Sequence, residues 1–587
     1  MKTFFLSMAG AFCAMLIFTL AIFFMFAGLI SAAASSQDTP PSKDIVITLD
    51  LRNGFTDQTA ASGLAAFSGS VGFTDILTKL KSAESDDKVK GLFIRGTQGS
   101  FGSARAEELR DALNEFRASG KYVIAHTQGS YSTGPSDLRA IAAADEVWIQ
   151  PGTELIASGV SFETLFMKDL LDRLSIVSEV IALYEYKNAP NDLKENDFTG
   201  PHREAMTELA ESLWAASLED ISADRGIDID SLRVLLEAGP IAADVALENK
   251  LVDKLGWPEE ALEAAQNRKS KGNLLSIAKY TPPFAGLDAS QIAIVGGQGG
   301  IVTGGSSGGA NPFDTAPVFA SDPVARSILQ AGKNEKIKAI VFRVDSPGGS
   351  PTASDQIWRA IERVQDDGKP VIVSMASVAA SGGYYVSTGA DYIMASRSTI
   401  TGSIGIFGGK TTLSEGFERV GIHPRAVTVG GEFAHAYDSD LFTANQREQV
   451  TASLKRGYDR FTSLVAEGRN MSVEDVHEVA KGRVWSGADA LKKNLVDEIG
   501  GFTDAIEKAK ELAGIDPDTN VRLIYYPKRK TGFEALEDLF GVSADVARAA
   551  SVVSALAGDE RLNATLSQLQ LSNAERAQVI SPVMIEN

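Results

Sequence analysis

An eight-residue pattern returns almost 250 positions further along this 587-residue chain, and that return limits the possible fold more than any other feature. Residues 88–95 (KVKGLFIR) and 336–343 (KIKAIVFR) share two lysines, the β-branched residue between them and the closing arginine. In the same order, 120–124 (GKYVI) matches 368–372 (GKPVI), Ala144-Asp145 matches Ala390-Asp391, and 246–253 (ALENKLVD) matches 490–497 (ALKKNLVD). A constant offset of about 244–248 over separate stretches marks an internal duplication of one unit.

Inside each copy, β-branched apolar runs alternate with stretches of helical spacing. Residues 44–51, 89–95 and 122–126 predict strands; 74–82 and 104–118 predict helices, the latter from Leu109, Leu113 and Phe116. Residues 291–295 predict the first strand of the second copy, and 201–247 and 444–487 predict helical stretches closing each one. This alternation implies an α/β fold with parallel sheets. The expected organisation is a first repeat over 44–268, a linker over 269–290, a second repeat over 291–527 and a helical C-terminal extension over 528–587. Amphipathic patterns over 533–557 and 561–579 suggest the extension's helices. The glycine-rich run 296–309 is expected to be loop, since its spacing fits no phosphate-binding pattern.

No charge lies between Lys2 and Asp38, an apolar run longer than the ~20 residues a spanning helix needs. A transmembrane anchor over 1–34 is expected, followed by a polar tether over 35–43; Ala32-Ala33-Ala34 offers the alternative of a cleaved signal. Lys2 favours keeping the start of the chain in the cytoplasm, which puts the remainder on the outer side of the membrane. The single cysteine, Cys13, falls inside the apolar run, so no intrachain disulfide can form. Acidic residues outnumber basic ones 76 to 56, against the basic face a nucleic-acid partner requires.

Chemistry is suggested where the two copies diverge. Residues 370–375 (PVIVSM) predict a buried strand, followed by small residues and then Ser381-Gly382-Gly383 before Tyr384-Tyr385. A serine at a strand-to-helix junction beside glycines leaves room for a carbonyl and lets backbone N–H groups face it. Upstream lies Asp345-Ser346-Pro347-Gly348-Gly349. In the first copy Ser381 falls opposite Thr133, Gly383 opposite Pro135, and 345–349 opposite 97–101, so the donors are missing there. Conversely, Tyr186-Lys187-Asn188-Ala189 in the first copy has no amine opposite it: Lys187 meets Ala434 or His435. One copy offers a hydroxyl and the other a base.

These motifs (AASGGYY at 379–385, DSPGG at 345–349, TGSIGIF at 401–407 and YKNA at 186–189) together resemble the signal peptide peptidase A family in its long, tandem-repeat bacterial form. The resemblance covers about residues 40–525. It implies two tandem repeats of the Clp/crotonase-like fold and a membrane-anchored serine peptidase with a Ser/Lys dyad, needing neither cofactor nor metal. By it, Ser381 matches the nucleophile, Lys187 the general base and Ser403 the serine that orients the lysine; Gly348, Gly349 and Gly382 match the oxyanion donors. Short apolar peptides, cleaved signal peptides among them, are the implied substrates, and a homo-oligomer, a tetrameric ring, the implied assembly. Residues 3–34 would bring the lipid bilayer contact.

A lysine near its ordinary pKa of ~10.4 cannot accept a proton at neutral pH, so the dyad requires burial away from carboxylates. Glu185 is the objection: on a strand it would share a face with Lys187. The histidines, His126, His202, His423, His435 and His477, show no metal-ligand spacing. His435 is the candidate for a Ser/His/Asp alternative, but no G-x-S-x-G elbow surrounds Ser381. A crotonase-like acyl-CoA enzyme, which would not need Lys187, and a catalytically silent scaffold are the rival classes.

Overall fold

The strands form where the apolar, β-branched runs lie, and they assemble into two parallel sheets of the same design. The structure, a computed structural model, describes residues 43–58, 71–96, 101–129, 134–269, 271–286, 288–305 and 318–527, together with the backbone of the strand Ala577–Ile580. In the first sheet the order is Lys254–Leu255, Glu146–Ile149, Tyr122–Thr127, Val89–Arg95, Ile45–Asp50 and Asn273–Ser276, all parallel. The second sheet repeats it with Glu498–Ile499, Tyr392–Ala395, Val371–Ala380, Ile337–Ser346, Gln291–Gln298 and Arg522–Tyr526. The duplicated residues thus occupy duplicated positions in space.

The second sheet departs from the first in one respect that matters for the site. Val371–Ala380 runs on past its first partner and pairs a second time, with Ile400–Gly402, which in turn pairs antiparallel with Val484–Ser486. Its counterpart Tyr122–Thr127 stops after six residues. The extra length of small residues, Ala376 to Ala380, carries the chain to Ser381.

A third sheet joins the two halves. Val177–Ala182 from the first half pairs antiparallel along its length with Phe407–Thr412 from the second. Beyond Phe407–Thr412 the order continues through Ala577–Ile580, Gly348–Gly349, Gly300–Val302 and Val318–Ala320.

Four expectations need correction or placement. The linker expected over 269–290 contains the strand Asn273–Ser276, which extends the first sheet because Leu275 is buried against its core. The glycine run is strand at its start, since Gly296 and Gly297 keep pairing with Arg343 and Val344; a backbone ladder needs no side chains. Where the helix expected over 561–579 meets described residues, at 577–579, the chain is instead part of the strand Ala577–Ile580, whose backbone is paired on both sides. The anchor and tether, and the rest of the C-terminal extension, lie outside the described residues; among those described, no helix is long and apolar enough to cross a membrane.

Buried ion pairs also cross between the halves. Arg343 of the second half is fully buried, with Nη2 2.9 Å from Asp57 Oδ1 and Nη1 2.7 Å from Glu108 Oε1, both from the first half, and it donates to Ser374 Oγ at 2.9 Å. Burial would raise the Asp57 carboxyl, but the guanidinium outweighs it and holds it low. At Glu108 burial prevails over the pull of Arg343 and pushes the carboxyl up to about 7. A second cluster links Glu107 and Asp220 of the first half to Arg397 of the second. Breaking a buried pair from one side leaves charge without a partner, so Arg343→Met is expected to destabilise the protein by about 3–5 kcal/mol. The urea midpoint of unfolding, which should fall, checks this.

Candidate active site

The site is assembled at the seam. Ser381 sits between the strand Val371–Ala380 and the short helix Gly382–Ser387, as its N-cap. Its φ of 57° is one that a residue with a Cβ rarely adopts, and such strain persists only where the surroundings hold it. Here its N–H donates to the Gly402 carbonyl at 2.8 Å and its carbonyl accepts from Tyr385 N–H at 2.8 Å. The turned backbone brings the hydroxyl to the seam, where it is fully buried.

Lys187 arrives from the first half on the turn after Val177–Ala182. Its Nζ lies 2.6 Å from Ser381 Oγ, 3.0 Å from Ser403 Oγ and 3.1 Å from the Ser403 carbonyl oxygen. A neutral amine has two N–H donors and one lone pair, and this set matches: Ser403 accepts twice and the Ser381 hydroxyl can donate once. Burial holds the Lys187 amine well below the ordinary lysine range, with no carboxylate opposing it. The Glu185 objection therefore falls away. Residues 183–186 form a bend and turn rather than a strand, so alternation does not apply and Glu185 is exposed.

The three predicted glycines lie beside Ser381. A Cβ on Gly382 would stand 3.0 Å from the Gly349 nitrogen and 3.1 Å from the Gly348 Cα, so the two glycine segments approach as closely as backbones can. Gly348 donates its N–H to Ser346 Oγ at 3.1 Å, which makes Gly349 and Gly382 the better placed donors of the three.

The histidines sit elsewhere. His126 is bonded through Nε2 to the Gly256 carbonyl at 3.1 Å, burial lowers His202 to about 4, and His477 Nδ1 lies 2.8 Å from the Tyr458 hydroxyl. His435, in the 3-10 turn Glu432–His435, makes no hydrogen bond to Ser381, whose hydroxyl instead meets Lys187. Among the described residues no group of three or more His, Cys, Asp or Glu side chains could hold a metal ion.

Residues 481–483 were not anticipated. Gly482 has a φ of +87°, and a Cβ there would lie 2.5 Å from Lys187 Cα. Arg483 accepts the Ser403 N–H on its carbonyl at 2.7 Å, pairs with Glu204 at 2.6 Å and with Glu208, and lies over the Tyr186 ring. The segment thus clamps the serine and lysine carriers to one helix of the first half, Gly200–Arg225. Its signal was available in the duplication: Arg483 falls opposite Gly239 or Pro240, so the guanidinium exists in one copy only.

Comparison with known proteins agrees with this architecture. The family model described as Peptidase family S49 matches residues 115–271 and 363–516. "Protease 4" of Salmonella typhi is 33% identical over 484 residues, covering 79% of this chain and 75% of the relative. "Serine protease SPPA, chloroplastic" of Arabidopsis thaliana is 26% identical, covering 92% of this chain and 78% of the relative. "Putative signal peptide peptidase SppA" of Enterococcus faecium is 31% identical over 201 residues, 34% of this chain and 58% of the relative. A match through both halves of a duplicated α/β chain, with a buried serine at the seam, defines a serine peptidase. The chain belongs to peptidase family S49, in the long tandem-repeat form of its Protease 4 relatives.

Because Gly482 leaves no space beside Lys187, Gly482→Ala is expected to shift the amine from Ser381. A displacement of about 1 Å costs on the order of 10²-fold in rate. The drop should appear in kcat, with the circular dichroism spectrum unchanged.

Proposed function

We propose that this chain is an endopeptidase working through a Ser381/Lys187 dyad on short apolar peptides, released signal peptides among them. The observation that carries the reading is the 2.6 Å approach of a fully buried amine, whose pKa burial lowers, to a fully buried serine hydroxyl. Lys187 takes the Ser381 proton as Oγ attacks the peptide carbonyl, and the proton then passes to the leaving amine. The N–H groups of Gly349 and Gly382 receive the oxyanion. The acyl-enzyme is released when Lys187 draws a proton from water and the water oxygen attacks the ester; the acyl C–Oγ bond breaks and Lys187 returns the proton to Ser381 Oγ. Ser403 accepts from the lysine amine throughout and keeps its lone pair directed at Ser381.

The substrate class rests on the name of the Enterococcus faecium relative and on the apolar run near the N-terminus, which would hold the enzyme where such peptides are left. A single-pass anchor in the inner membrane, with the catalytic part on the periplasmic side, is the matching location. The assembly is a homo-oligomer, a tetramer; exposed apolar side chains on corresponding segments of the two halves support association. Leu165, Leu170 and Leu174 lie on one, Val420 and Ile422 on the other, and Val427 beyond them is 97% exposed.

On a fluorogenic peptide with an apolar residue before the scissile bond, Ser381→Ala should fall to background and Lys187→Ala by about 10²–10⁴-fold. Undiminished hydrolysis in either variant removes the dyad. The pH dependence has a definite sign. Only the neutral amine can accept a proton, so kcat/KM should rise as pH passes upward through the lowered lysine pKa. It should then level off well short of the ordinary lysine range. A profile that begins to rise only near the free-lysine value would assign the base to another group.

A further inference from the structure

The strand Ala577–Ile580, at the far C-terminus, lies in the third sheet between two strands that do not pair with each other. On one side it runs antiparallel to Gly348–Gly349, with Ile580 opposite Gly348 and Val579 opposite Gly349. On the other it runs antiparallel to Phe407–Thr412, with Gln578 opposite Phe407 and Ala577 opposite Gly408. Strands in a sheet are ~4.8 Å apart, so these walls enclose a slot one extended chain wide, roughly 10 Å across.

Both walls belong to the active site. Gly348 and Gly349 lie against Gly382, next to Ser381, and Gly349 carries one of the two oxyanion donors assigned above. The other wall continues from Gly405, where a Cβ would stand 3.1 Å from Lys187 Cδ. An extended backbone in this slot therefore runs along Gly349, which lies against Gly382 next to Ser381, and is held by main-chain pairing on both edges, which is how a peptidase engages an unfolded substrate.

We infer that the chain's own C-terminal segment is a ligand of this slot and competes there with peptide substrates. The inference rests on the reading of the slot as the peptide-binding cleft. Residues 577–585 (AQVISPVMI) carry no charge and are largely apolar, the character assigned to the substrates. The 49 residues from 528 to 576 can span more than 100 Å at about 3.3 Å each, ample to reach the slot from Pro527 within the same chain. Tethering makes the binding intramolecular, so a segment of weak intrinsic affinity can still hold the cleft. Opposed to external peptide at low concentration, it is displaced at high concentration.

The test compares the full-length protein with a form ending at Arg576, and with full-length Val579→Pro, which removes one N–H from the strand. Both variants are expected to show a KM for a fluorogenic apolar peptide lowered about threefold or more, with kcat within twofold of the parent. A synthetic peptide of residues 573–587 should inhibit the truncated form competitively. Binding of the same peptide, dye-labelled, to truncated Ser381→Ala by fluorescence polarisation keeps the question open to measurement without catalysis. Saturable binding that substrate peptide displaces supports the inference. Unchanged KM in both variants, or no saturable binding of the labelled peptide, overturns it. Absence of hydrolysis in every form, with the labelled peptide still bound, would count against the peptidase reading and leave the tail's occupancy supported.

Discussion

Sealing an amine from water and from carboxylates weakens its hold on a proton, and the surroundings of one atom, Lys187 Nζ, meet that requirement: burial lowers its pKa. The amine comes from the first half of the chain while its partners, Ser381 and Ser403, come from the second, so neither half alone can meet the requirement. What fixes the distance is the seam. The pairing of Val177–Ala182 with Phe407–Thr412 continues the backbone of one half into a sheet of the other, and Lys187 follows five residues after that strand ends. The buried cluster around Arg343 ties the same two halves further from the site.

The seam also accounts for where the chain is strained. Ser381 and Ser403, at φ 57° and 51°, each occupy a conformation costing on the order of 1–3 kcal/mol, and both face Lys187. Their backbones are held by bonds to Gly402 and Arg483, residues of the two strands' ends that the first half lacks in this arrangement. The first half has the sheet without the glycine donors: where the second half opens its helix at Gly382, the first opens at Pro135, which has no N–H to offer. A duplicated scaffold thus carries one site built from both copies.

Much of this was legible before any coordinates. The strands Val89–Arg95 and Ile337–Ser346 follow directly from their apolar runs, and the match between the copies located Ser381 and Lys187 as the positions where they differ. Other features were not. Glu185 looked like an obstacle because a strand was assumed across residues whose backbone turns, and in that turn Tyr184 packs against Tyr458 and His477 from the other half, contacts that no local pattern announces. The strand Ala577–Ile580 was hidden beneath helical spacing, since what makes it a strand is two partners more than 160 residues away. Arg483 was missed although its divergence between the copies was as plain as that of Lys187.

The sequence by itself determined the duplicated α/β plan, the succession of its main strands along the chain, and which copy kept a serine beside glycines and which a lysine. These are local properties, because apolar periodicity and repeat divergence are written residue by residue. Only the tertiary structure decided that the lysine and the serine meet, that no carboxylate among the described residues opposes the lowered lysine pKa, and that the strand Ala577–Ile580 pairs between Gly348–Gly349 and Phe407–Thr412. Those outcomes depend on burial and on pairing between residues some 200 positions apart, and no stretch of sequence contains both sides of such a contact.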